Sequence, residues 1–357
     1  MKRITLSVLL MTLFLLLSCG SGSAKMEDPK TTFLDSLVKI GHGFYEIFGI
    51  FGNAIGDALG LTAVKSDDKK SKVGEHFDKI KKGLEDTNGK LKELSGEISE
   101  AKNANSSTIK SVKSVINSSS DVFEQLISAL TKLADTAKEA GNIDIGDNAN
   151  AVPSAADKDS VEAIIAGVKD IIGVAEKSGV KIESGDACIA VNAAATTDAP
   201  AVLGGANGNA AAGAGSKLAD EVTKADPWAI IDKIKNATAT TPAKLNGANN
   251  EAGALAASND KADAAAGAKS NADLVAAVAL KAMTKNGKFS AVDADKDIVK
   301  AAAASAVNKV LGILDFIIRK TVSSNLNKIK EAVKGIQYFE TATQSTEASA
   351  AQPTATK

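Results

Sequence analysis

The sequence predicts an all-α fold, an elongated antiparallel helix bundle built by the two ends of the chain around a loop-rich middle. Three observations carry this. Apolar residues recur at steps of three and four through long stretches near both ends, the spacing of a helix with one buried face. No stretch shows the period-two alternation of a half-buried strand. Between the periodic regions, 184–216 and 236–270 are mostly Ala, Gly, Asn, Asp, Ser and Thr, so they can bury little large apolar surface.

The first element is not part of that bundle. Lys2 and Arg3 precede an apolar run, Ile4 to Leu17, of about 14 residues, short of the roughly 20 a bilayer-spanning helix needs. It reads as an export signal, residues 1–18. Leu16-Leu17-Ser18-Cys19 then resembles the lipobox of bacterial lipoproteins. There the cysteine thiol takes a diacylglyceryl group, the chain is cut before it, and the freed amine is acylated. Only a thiol can form that thioether, which makes Cys19 the lipidation site and places cleavage between Ser18 and Cys19. Two or more acyl chains give a stable anchor where one gives reversible binding. No other stretch reads as a membrane span.

Composition narrows the function. Loss of Lys2 and Arg3 from 42 basic residues leaves 40 against 43 acidic ones, with no basic footprint for nucleic acid. Arg3 and Arg319 are the two arginines, so bidentate anion clamps are scarce. Cys188 is the one thiol left after lipidation, which rules out an intrachain disulfide.

Residues 19–27 form a lipidated flexible tether. The N-terminal helical region, 28–140, opens on Asp28-Pro29, a cap followed by proline in the first turn. Leu34, Leu37, Phe44, Phe48, Phe51, Ile55 and Leu59 give its first buried stripe, with a partner expected in 298–339. Gly52, Gly56 and Gly60 share a face, and close helix packing there would offset their conformational cost. Lys39, Glu46 and Asp57 argue against a membrane-inserted hairpin. Residues 65–82 mix lysines with Asp67, Asp68, Glu75 and Asp78, the pattern of a solvated helix face.

Phe77, Ile80, Leu84, Leu91, Leu94 and Ile98 follow a heptad, resumed after a one-residue shift at Ile109, Val112, Ile116, Phe123, Leu126, Leu130 and Leu133. The change of phase places a turn near Asn105–Thr108, and Gly141 ends the second helix. The central region, 141–297, then carries short helices: 159–178, stopped at Gly179; one capped by Asp226-Pro227, with Trp228, Ile231 and Ile234 inward; and 271–285, closed by Asn286-Gly287. The C-terminal long helix, 298–340, has its stripe through Val307, Val310, Leu314, Ile317, Leu326, Ile329, Val333 and Ile336. Residues 341–357 read as a disordered tail.

The chemistry is mostly negative. His42 and His76 lack partners at metal-ligand spacing, and an exposed or capping role is expected for each. Gly208 to Gly213 has the glycine spacing of a phosphate loop, but Ala214 stands where lysine is needed. Asp293, Asp295 and Asp297 imitate an EF-hand, but Ile298 and Ala304 occupy its glycine and glutamate positions. Those aspartates suit a helix N-terminus. No catalytic residue, metal or cofactor is expected.

Three stretches carry a resemblance: 44–61 running on from Val73 to Leu133, ADPWAIIDKIKNA at 225–237, and VAAVALKAMTKNGKFS at 275–290. With the lipobox, the chain resembles the variable large proteins, lipoproteins of relapsing-fever spirochaetes related to the Lyme-spirochaete variable surface lipoprotein. Lys281 and Asn286 stand where that family is expected to have Arg and Asp. The resemblance implies a surface antigen without catalysis, lipid-anchored in the outer membrane, expressed one copy at a time and switched to escape host antibodies. Terminal helices would then be membrane-proximal and 142–158, 184–216 and 236–270 the exposed antigenic loops, free to vary because they add little to the core. Residues 275–290 are expected to be largely buried. Host surface ligands and a homodimer are left open. The alternative is a lipid-anchored adhesin that binds host glycosaminoglycan or protein through the Lys-rich 65–82 face, Lys69, Lys70 and Lys72 included, or through the distal loops.

Overall fold

The computed structural model describes residues 28–56 and 63–339. The expected signal peptide, Cys19 with its expected tether, Leu59, Gly60, the packing of Ile55 and Gly56, and 340–357 with the expected tail lie outside the described residues. Within them, nine α-helices and one two-residue parallel β-pairing form a helical bundle.

Helix α1, Pro29–Gly56, packs on α2, Ser71–Ser99, which forms an antiparallel hairpin with α3, Ser106–Glu139. The hairpin seam is the predicted heptad, with Phe77, Ile80, Leu84, Leu91 and Leu94 facing Ile116, Phe123, Leu126 and Leu130 in the core. The turn falls at 100–105, where the Asn105 side chain caps α3 by accepting from the Ser107 amide at 2.9 Å. Asn117–Ser120 does not interrupt α3. Ser119 and Ser120 are buried there opposite Thr87 and Asn88, and the Ser120 hydroxyl donates to the Asn88 side chain. This polar layer penalises any slip that would leave its groups unpaired.

The inward stripe of α1 is Phe33, Ile40, Phe44, Ile47 and Phe51, rotated from the expected set so that Leu34 faces outward. Its partner is chiefly α2, not the C-terminal helix. Gly52 has open space where a Cβ would stand, so the expected close packing is absent there. Tight approaches occur instead at Gly74, where a Cβ would lie 2.6 Å from the Ala134 carbonyl, and at Gly167 against Leu133.

Helix α4, Lys158–Lys177, packs antiparallel on α3. The short α5 (Ala214–Lys224), α6 (Pro227–Asn236) and α7 (Ala252–Ala256) surround α8, Asn271–Met283, whose residues are all buried. β1, Asn148–Ala149, pairs with β2, Phe289–Ser290. The axis is α9, Lys296–Lys334, a 39-residue helix that touches α1, α3, α4, α5, α6 and α8. At 1.5 Å per residue it is roughly 58 Å long. It ends at Lys334, earlier than expected, and Tyr338 leaves it to bridge Ala104. Residues 293–334 are long and apolar enough to cross a membrane, contrary to expectation, but most of the apolar window is buried in the bundle. Buried Asp315, Thr321 and Asn325 mark it as a core helix.

Candidate functional site

One end of the bundle gathers both ends of the described chain, Pro29 and Phe339. Asn103, at φ 59°, donates its side-chain amide to the Pro29 carbonyl at 3.1 Å and accepts from the Phe339 amide at 2.8 Å. Phe33 and Tyr338 meet edge to face at 5.5 Å beside it. Eight residues of chain separate Cys19 from Asp28, so this is the end that any acyl group on Cys19 would hold.

The N-terminal end of α9 holds the loops instead. Asp295 is buried, and its carboxylate accepts from the Gly213 and Gly215 amides, both at 2.9 Å. It therefore caps α5 across space, a finer role than the expected dipole complement of its own helix. Asn148 donates to the Lys296 carbonyl at 3.1 Å, and a Cβ on Gly146 would collide with Lys300. Asp144 takes Lys300 and Lys69 together, and those two ammonium groups hold its carboxyl below the ordinary range.

Stretches that carried the resemblance act as the frame for these loops. Asp226 caps α6 through the Trp228 amide at 2.9 Å, and its other oxygen accepts from Asp186 at 2.8 Å, fixing the loop around residue 186. Trp228 is half-buried against Phe316, while Ile231 and Ile234 are fully inward. The backbone of 285–291 binds that of 147–157: Phe289 donates to Asp147, Ala291 to Ala149, Asp157 to Lys285, and Ser154 exchanges bonds with Lys288. Segment 275–290 is largely buried, as expected, with Asn286 exposed at its turn.

Two lysines missed as structural sit inside this frame. Lys70 is fully buried and donates to the carbonyls of Lys281, Thr284 and Gly287 at 2.8–3.0 Å, closing the C-terminus of α8. Lys281, also fully buried, donates to the Ser258 carbonyl and hydroxyl just beyond α7. Burial lowers Lys70 to about 8 against the opposing pull of Asp147. Burial, then repulsion from Lys70, lowers Lys281 to about 7. Residues 65–82 are therefore not one solvated helix face: 65–70 precede α2, Lys70 is core, and Lys69 and Lys72 are paired with Asp144 and Glu75.

The loops contribute more to the core than their composition suggested. All eight residues from Ala199 to Ala206 are buried, as are Leu245, Leu255 and Ala266–Ala268. Small side chains let backbones meet. Ala262 and Ala266 donate to the Gly204 and Gly205 carbonyls, and Val191 exchanges bonds with Ala268. A Cβ on Gly253 would stand 1.9 Å from the Thr238 carbonyl. The longest exposed runs of the loops are 183–190 apart from Ala187 and 240–249 apart from Leu245, with shorter ones at 150–152 and 263–265. Cys188 lies exposed on the first of them.

No group of metal-ligating side chains is present among the described residues. His42 is exposed and pairs with Glu46 at 3.3 Å. His76 departs from expectation: it is buried and lies 3.1 Å from both oxygens of Asp315, tying α2 to α9. A groove of about 260 Å³ between α3 and α4 is lined by Gln125, Ser128, Lys169, Asp170 and Lys177 among others.

Residues 44–333 match the family described as Borrelia lipoprotein. Two Borrelia hermsii relatives, Variable large protein 14 and Variable large protein 10, are each 64% identical, covering 99% and 100% of this chain and 99% of their own lengths. The crystal structure of the Lyme disease variable surface antigen VlsE of Borrelia burgdorferi superposes with a TM-score of 0.67 at 27% identity, over 84% of this chain and 98% of that one.

Proposed function

The chain belongs to the Borrelia lipoprotein family, and from that premise we propose that it is a surface-exposed variable antigen, anchored in the outer membrane by acyl chains on Cys19. One such copy is expressed at a time, and a switch to another replaces the surface that host antibodies meet. Host antibodies are then its principal partners, and the role requires no catalysis.

One observation carries this reading: the fold separates what must stay from what can change. The frame of 225–237, 275–290 and the α2–α3 hairpin is packed and hydrogen-bonded, whereas 183–190 and 240–249 put most of their side chains in solvent. Surface substitutions usually alter stability by less than about 0.5 kcal/mol, so those tips can diverge without unfolding the frame. On this reading variation inside the loops would fall on the exposed positions, because tightly packed glycines such as Gly204, Gly253 and Gly267 leave no room for a side chain.

The adhesin alternative gains nothing from 65–82, where one lysine is buried and its neighbours are already paired. Mass spectrometry of the mature N-terminus, combined with antibody staining of intact cells, tests the proposal. It predicts an acylated Cys19 start and a stained surface. An unmodified start after Ser23 or Ala24, or staining only after the outer membrane is broken, would contradict it.

A further inference from the structure

The outer face of α1 carries an apolar stripe that no other described element covers. Leu34, Val38, Gly41 and Tyr45 follow helical steps of four, three and four, and the three large side chains are 41%, 44% and 79% exposed. Added Cβ atoms at Gly41, Gly49 and Gly52 would meet nothing within 4 Å. Phe339, 54% exposed, lies at the same end of the bundle through its bond to Asn103. Thus four of the six large apolar side chains exposed among the described residues are on α1 or beside its start. Near the stripe, Lys39 pairs with Glu97 at 3.4 Å and the His42 ring lies 3.3 Å from the Glu46 carboxylate.

We propose that this face rests on the membrane that holds Cys19, so that the bundle leans onto α1 instead of standing free on its tether. The inference rests on the Cys19 reading. Nine residues of tether reach about 30 Å at most, which keeps α1 at high effective concentration near the lipid. A weakly apolar face that would not partition from solution is then enough, and tyrosine suits the headgroup level, where its ring is buried and its hydroxyl stays wet. The chain's own flanks at this end cannot cover the stripe: 340–357 contains no large apolar residue, and 20–27 only Met26. Leaning would turn the face opposite α1 outward and shade the side beside it.

The test uses the full lipidated chain in vesicles of phosphatidylcholine with a minor share of phosphatidylglycerol. A spin label is placed at Tyr45→Cys or Ser111→Cys in a Cys188→Ser background. Ser111 is exposed near the start of α3, closer to the anchored end than Tyr45. The expected result is at least threefold fewer collisions of the label at 45 with a water-soluble nickel chelate than of the label at 111. Adding Leu34→Gln and Val38→Gln should bring the two together. Equal collision rates without those changes, or no effect of them, would overturn the proposal. So would dipolar coupling between labels at 45, which would assign the face to a second copy. If the protein does not float with the vesicles, the Cys19 reading fails and this inference with it; floating with a nickel-accessible Tyr45 defeats the inference alone.

Discussion

The Lys70 ammonium donates to the Lys281 carbonyl at 2.9 Å, joining two lysines that are both fully buried and have no carboxylate within hydrogen-bonding distance. Lys70 closes the end of α8, and Lys281 reaches past α7 to Ser258. Together they fasten the N-terminal hairpin to two layers of the loop region.

This arrangement sets a pH dependence. Both lysines titrate below their unfolded values, Lys70 near 8 and Lys281 near 7, so over neutral to alkaline pH the unfolded chain binds more protons than the native one. Stability therefore rises with pH from about 7 toward the unfolded lysine value, by roughly 2–4 kcal/mol up to pH 9. Urea unfolding midpoints at pH 7 and 9 check this, and Lys281→Met should flatten the rise.

Charge reversal separates the structural lysine from its neighbours. Lys70→Glu would set a carboxylate against three carbonyls inside the core and should cost more than about 3 kcal/mol or abolish folding. Lys69→Glu and Lys72→Glu break exposed pairs and should each cost about 1 kcal/mol or less. Thermal denaturation of the three variants reads the contrast.

Asp226→Ala removes a helix cap and a loop anchor at once. A loss of about 1–2 kcal/mol is expected, with faster amide exchange concentrated in 184–190. Asp226→Asn, which can still cap α6, should recover most of the stability.

Glycine substitutions test whether the loops are packed. Gly253→Ala forces a Cβ onto the Thr238 carbonyl and should destabilise by about 1–3 kcal/mol. Gly96→Ala in α2, with open space around it, should stabilise by up to about 1 kcal/mol.

Much of the fold was readable because the long helices carry periodic stripes, and several helices add a terminal signal, such as Asp226-Pro227 before α6 or Gly141 after α3. The loop core was not. Ala199–Ala206 and Gly253 bury surface through close backbone approach, which leaves no large apolar side chain for a pattern to register. Lys70 and Lys281 were equally hidden, since lysine is assigned to solvent unless a partner is seen, and theirs are carbonyls distant in sequence. The Asp226–Asp186 and Asp295–Gly213 contacts likewise join residues far apart in the chain. Cys19 stands on its sequence motif.

The central claim, a surface antigen with a packed frame and exposed tips, is tested most directly by brief trypsin treatment of intact cells, with the cleavage sites mapped by mass spectrometry. Early cuts are predicted after Lys181 and Lys244, beside and within the exposed tips, while peptides from 275–290 stay in the protected core. A protein untouched until the outer membrane is broken, or one cut first inside 275–290, would contradict the account.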